Sequence, residues 1–185
     1  MFSLKSLFGY PPESGPARAL YAATIHAARR PEMFTDMALP DTPEGRFEAL
    51  ALMAFLVLKR LKDEPAAKRI SQAYFDVMFD DVDSNLRELG VGDMSVGKKV
   101  KKLAESFYGR IRTYDAALAA PDDGLLIEAL RRYPYRGAEP AAVHVERLAR
   151  QVRRDDAALA AQPADKLLAG DISFAAIAAA EEGTQ

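Results

Sequence analysis

Cysteine is absent from the 185 residues. That excludes disulfides, zinc-thiolate and iron–sulfur ligation, cysteine nucleophiles and covalent c-type haem attachment. Histidine occurs only at His26 and His144, so a cage of several imidazoles cannot be built. Long apolar runs are missing too. The longest, Ala49 to Leu58, has 10 residues, about half of the ~20 that a spanning helix needs. The N-terminus lacks the apolar segment of a secretory signal, and Met1–Tyr10 holds one lysine and no arginine, too little for a mitochondrial presequence. It reads as a frayed terminus rather than an interfacial anchor through Phe2, Leu4, Leu7 and Phe8. Charge of one sign is also scarce. The formal net charge is −2, which gives no bulk case for nucleic acid and none for DNA.

What is present is apolar and helical. Hydrophobic residues make up 49% and charged residues 28%, enough for one domain with a real core. No alternating strand pattern and no internal repeat occurs. The expected fold is all-α, a single multi-helix domain around one buried central helix. Pro11, Pro12, Gly15 and Pro16 are expected to separate a flexible segment, 1–16, from a helical domain, 17–162, with short helices and a tail over 163–185. Ala17 to Arg30 reads as a helix stopped by Pro31, and Glu32 to Asp41 as irregular. Asp41 or Thr42 caps the next helix, with Pro43 in its first turn and Glu44 at the positive end of its dipole. It runs to about Lys62, and Glu48 is its only polar residue between Phe47 and Leu58. This is the expected central helix. Further helices are expected over Ile70–Leu89, Val96–Ala119, Leu125–Arg132 and Ala141–Ala161.

The Ile70–Leu89 helix is the most unusual. Its apolar positions span an arc of roughly 200°. Asp76, Asp80, Asp83 and Arg87 form one narrow stripe opposite, and Asp81 sits inside the apolar arc. The expectation is a seam of carboxylates held in place by ion pairs: Asp83 with Arg87, the others with Arg46 or Arg110. Metal binding is the weaker reading. An EF-hand counted from Asp81 would need glycine at Leu86 and glutamate at Gly92. An isoprenoid-synthase site would need a second Asp-rich helix, which is missing. Gly92 to Lys99 nearly spells a phosphate-binding loop. The magnesium-binding hydroxyl is replaced by lysine and no strand precedes it, so Gly92 and Asp93 read as a helix start. Lys98, Lys99, Lys101 and Lys102 follow at once. Cations there oppose the helix dipole, which marks them, with Tyr108, as candidates for an acidic partner, RNA phosphate or anionic lipid. Gly45 and Gly109 sit inside helices at a cost of ~1 kcal/mol each; a close neighbour at each would explain it, with Arg110 reaching a carboxylate. No catalytic constellation and no cofactor motif emerges.

These residues resemble the ubiquinol–cytochrome c chaperone family. The resemblance rests on Asp41-Thr42 with Gly45-Arg46-Phe47, on Phe55 to Leu61, and on Asp80-Asp81-Val82-Asp83 followed by Leu86-Arg87-Glu88. It continues through Gly90 to Asp93, Val96-Gly97-Lys98, and Phe107 to Arg110 with Tyr114. It spans about Leu20 to Tyr135. Two departures are Met53, where relatives often carry histidine, and Tyr133, near which they carry asparagine. The resemblance implies a non-enzymatic chaperone without cofactor that binds newly made cytochrome b and promotes assembly of the ubiquinol–cytochrome c reductase complex. Mitochondrial members of that family act near the ribosomal exit with a small partner protein; the client is expected to meet an apolar groove, with the acidic seam nearby to attract its basic loops. Without a presequence the chain reads as bacterial and cytoplasmic, peripheral at the inner membrane. The rivals are an Asp-rich magnesium enzyme acting on a prenyl-type substrate and an RNA-binding adaptor working through the lysines.

Overall fold

A computed structural model describes residues 13–178; the expected frayed terminus and the last seven residues lie outside them. Eight α-helices and one short 3-10 turn are present among the described residues, without a strand. Helix α1 is Ser14–Ala28, α2 Pro31–Thr35, α3 Pro43–Lys62, α4 Lys68–Glu88, α5 Asp93–Ala119, α6 Gly124–Arg132, α7 Ala142–Ala160 and α8 Ala164–Ala169.

Helix α3 forms the centre. Ala49 and every residue from Ala51 to Val57 are buried, and α1, α4, α5 and α7 pack around them. Each fully buried leucine, phenylalanine or methionine there contributes about 1.5–3 kcal/mol. The Thr42 hydroxyl accepts from the Gly45 N–H at 3.1 Å and so caps the helix. Tyr74 of α4 reaches Thr24 of α1 at 2.8 Å inside the core, which joins those two helices at a fixed height. The α4–α5 contact is aromatic: Phe75, Phe79 and Phe107 lie with ring centroids 4.6–6.3 Å apart.

The ends of α4 follow local rules. Gly90 takes φ +84°, its N–H bonds to Arg87, and the Val91 N–H bonds to Leu86. This is the paired left-handed cap that reverses the chain into α5.

Three boundaries differ from the sequence reading. Helix α1 begins at Ser14, so Gly15 and Pro16 lie in its first turn rather than breaking it; proline lacks only an N–H that has no helical partner there. Pro31 starts a short helix inside the stretch read as irregular, because a proline that ends one helix also suits the first turn of the next. Residues 171–178 form a strap without helix. Gln162 accepts from the Ser173 N–H at 2.8 Å and donates to its carbonyl at 2.7 Å. Buried Asp155 accepts from the Ala175 N–H at 2.9 Å, while Arg30 and Gln151 donate to the Ala175 carbonyl. Burial pushes the Asp155 carboxyl above its ordinary range, against Arg30, Gln151 and that N–H.

Candidate functional site

The first turn of α3, the C-terminal half of α4, the middle of α5 and the turn after α6 enclose an open groove of about 1620 Å³. Its walls include Ile25, Leu50, Val82, Leu86, Leu89 and Leu103. Leu89 is 65% exposed, an apolar side chain left uncovered at the edge.

A buried ion pair forms part of the groove lining. Arg110 Nε donates to Glu48 Oε2 at 2.7 Å, and Nη2 donates to Oε1. The side chains are 9% and 11% exposed. The Arg110 guanidinium also lies over Tyr133, 4.9 Å from the ring centroid, and 5.9 Å from that of Phe47. Burial acts to lower the Arg110 pKa, but the Glu48 hydrogen bond and charge outweigh it and the net shift is upward. Behind the pair, Tyr114 is buried and its hydroxyl has no hydrogen-bond partner among the described residues. Burial first, then the Glu48 charge, pushes its phenol well up, so it stays neutral. The sequence had marked Arg110 as seeking a carboxylate. The partner is Glu48, the solitary polar residue on an otherwise apolar run, and that isolation was the available signal.

Of the ion pairs expected along the acidic stripe, Asp83 with Arg87 forms, and those of Asp76 and Asp80 with Arg46 or Arg110 do not. Asp76 and Asp80 stand exposed. Among the described residues Asp76 accepts only from Gln72, at 2.9 Å. Arg46 donates instead to Asp41 at 2.6 Å, and Arg110 to Glu48. Arg87 donates to Asp83 at 2.6 Å and also to Asp93, a small cluster across the α4–α5 turn. The stripe is narrow because α1 and α5 each cover one flank of α4, and what remains is its solvent face. Asp81, inside the apolar arc, is tied to a second helix. It accepts from the Tyr21 hydroxyl at 2.7 Å and from Asn85 at 3.0 Å, and it lines the groove, which none of Asp76, Asp80 and Asp83 does. Burial, then the Asp81 bond, raises the Tyr21 phenol far above its ordinary value. Tyr21→Phe should therefore cost about 1–2 kcal/mol, whereas Asp76→Ala should stay within about 0.5 kcal/mol; urea midpoints of the two variants check the contrast.

The lysine cluster divides. Lys99 and Lys102 line the groove. Lys98 and Lys101 do not line it and are exposed, with Lys101 4.0 Å from Glu105. Tyr108 stacks on Phe75 with centroids 5.5 Å apart and borders a separate pocket of about 290 Å³ beside Phe55, Leu58 and Ile111. It is not part of the groove. Gly45 does meet a close neighbour: a Cβ there would lie 1.9 Å from the Pro40 carbonyl oxygen. Gly109 does not, because its Cβ would have nothing within 4 Å; it opens onto the groove instead. Among the described residues no group of three or more histidines, aspartates or glutamates is placed to hold a metal ion, and no helix is long and apolar enough to cross a membrane.

Comparison with known proteins adds a family and a fold. The family described as "Ubiquinol-cytochrome C chaperone" matches residues 35–174. Human "Ubiquinol-cytochrome c reductase complex assembly factor 1" is 27% identical over 160 residues, which is 85% of this chain and 53% of that protein. Its Xenopus laevis counterpart is 27% identical over 117 residues, 63% of this chain and 58% of that protein. The chain thus spans about half the length of these curated relatives. A crystal structure of the Cbp3 homolog from Brucella abortus superimposes with a TM-score of 0.81 at 38% identity, covering 95% of this chain and 98% of that one.

Proposed function

The chain belongs to the ubiquinol–cytochrome c chaperone family, and from that premise we propose that it is a chaperone for assembly of the ubiquinol–cytochrome c reductase complex, with newly made cytochrome b as its client. The groove carries this reading. At about 1620 Å³ it exceeds the roughly 300–1,000 Å³ of small-molecule sites and suits a segment of a protein client. Its apolar walls would cover side chains that otherwise aggregate before the client is assembled.

The proposal needs no catalysis. The two carboxylate–guanidinium pairs at the groove, Arg46–Asp41 and Arg110–Glu48, satisfy themselves. The prenyl-enzyme alternative calls for two facing Asp-rich helices, and the stripe of α4 turns Asp76 and Asp80 to solvent. We place the chaperone at the cytoplasmic face of the inner membrane, where a membrane-protein client emerges. Contact with ribosome or lipid would fall to the outward lysines, Lys98 and Lys101.

Deleting the gene in its native host should lower assembled complex III under respiratory growth while other respiratory complexes are initially spared, and cytochrome b should co-purify with the tagged protein. Normal complex III in the deletion strain, with no cytochrome b captured, would refute the assignment.

A further inference from the structure

The groove's charge differs from that of the whole chain. The protein is net negative, at −2. Two ion pairs at the groove, Arg46–Asp41 and Arg110–Glu48, neutralise themselves. The other lining cations are Arg29, Lys99, Lys102, Arg132 and Arg136, none with a salt-bridge partner among the described residues. Against them stand Glu44, Asp81 and Glu88. Five cations thus face three carboxylates, and two of those three are partly committed. Glu44 lies in the first turn of α3, where the helix dipole already favours its charge. Asp81 is held by Tyr21 and Asn85. Lys99 and Lys102 lie in the second and third turns of α5, past the first turn over which the helix dipole acts. They stand on one wall, with Arg132 and Arg136 on another.

We propose that the groove is built for an amphipathic helical segment whose apolar face is flanked by acidic residues, rather than for the basic loops of a client. The inference deepens the chaperone reading and rests on the groove being the client site. The apolar walls take the segment's Leu- or Ile-type face. Lys99 and Lys102 meet acids on one flank, Arg132 and Arg136 acids on the other. A basic flank would place like charges against these walls, a repulsion that disfavours wrong partners and slows encounter.

The test uses the full chain and two synthetic helical peptides with the same apolar face, one with glutamate flanks and one with lysine flanks, measured by fluorescence anisotropy at low and at physiological salt. The acidic peptide should bind at least about tenfold more tightly, with the gap narrowing as salt rises. Lys99→Glu with Lys102→Glu should abolish or invert that preference, while Lys98→Glu with Lys101→Glu should leave it. All four side chains are exposed, so the variants should fold. Equal or tighter binding of the basic peptide, the same loss from the Lys98 and Lys101 reversal, or no binding of either peptide would each overturn the inference. So would binding of anionic vesicles through Lys99 and Lys102 with neither peptide bound. The deletion phenotype is a separate readout: a strain that keeps complex III sinks the client assignment while the peptide preference stands or falls alone.

Discussion

Arg110→Ala should destabilise the fold by about 3–5 kcal/mol, read as a fall in the urea midpoint at unchanged slope. The reason is what it leaves behind. Glu48 lies on the most buried helix, and its carboxylate is 11% exposed. Arg110 gives it two N–H donors, from Nε and Nη2. Without them the carboxylate must stay ionised in apolar surroundings, take up a proton, or drag water into the groove. Each route costs free energy. The guanidinium also loses its place over Tyr133 and Phe47, so packing goes with charge. Removing both partners tests whether this is a cost of breaking the pair or the worth of having it. Glu48→Leu with Arg110→Met should recover most of the loss, since buried pairs replaced by apolar residues of similar volume are often neutral in stability. A double variant as unstable as Arg110→Ala would mean that the pair itself holds α3 to α5. If the double variant is stable, the pair is free to be explained by what it does in the groove. Its polar heads sit among apolar walls where a client's side chains would lie.

The helices themselves were legible because α3, α4, α5 and α7 repeat apolar residues at three- and four-residue steps, and that spacing alone selects a buried face. The central position of α3 followed from a run in which Glu48 is the only polar residue, and Gly90 at the end of α4 announced its own turn. The groove was legible only in outline. Sequence spacing shows how wide a polar face is, but not whether neighbouring helices have narrowed it. Asp76 and Asp80 looked confined for that reason, and they are solvated. The lysines were seen as one cluster because they are consecutive in sequence. Lys102 is three residues from Lys99 and four from Lys98, so spacing alone does not assign it to either; the packing of α5 against α4 and α6 decides, and it puts Lys99 and Lys102 in the groove lining. The strap was invisible, since Arg30 and Ala175 are far apart in the chain and nothing local marks Gln162 or Asp155 as reading a main chain.

Gly45→Ala should cost about 3 kcal/mol, while Gly109→Ala should stabilise the fold by about 0.5–1 kcal/mol. Both glycines stand inside helices, where alanine is intrinsically better by about that second amount. At Gly45 the added methyl would sit 1.9 Å from the Pro40 carbonyl oxygen and 2.9 Å from its carbon. Those are backbone atoms, so relief requires the segment before α3 to move, and with it the Thr42 cap. Overpacking that forces backbone shifts costs up to about 3 kcal/mol, occasionally more. At Gly109 the methyl meets nothing within 4 Å, so only the backbone entropy gain is felt. That side of α5 lines the groove beside Arg110. A glycine that weakens its helix without packing against anything keeps that wall low for whatever enters. Gly109→Ala should therefore raise the melting temperature yet weaken binding of the acidic-flanked helical peptide. If it stabilises the protein and leaves peptide affinity unchanged, the occupant does not approach α5 at Gly109, and the groove is filled from the α4 side near Leu86 and Leu89 instead.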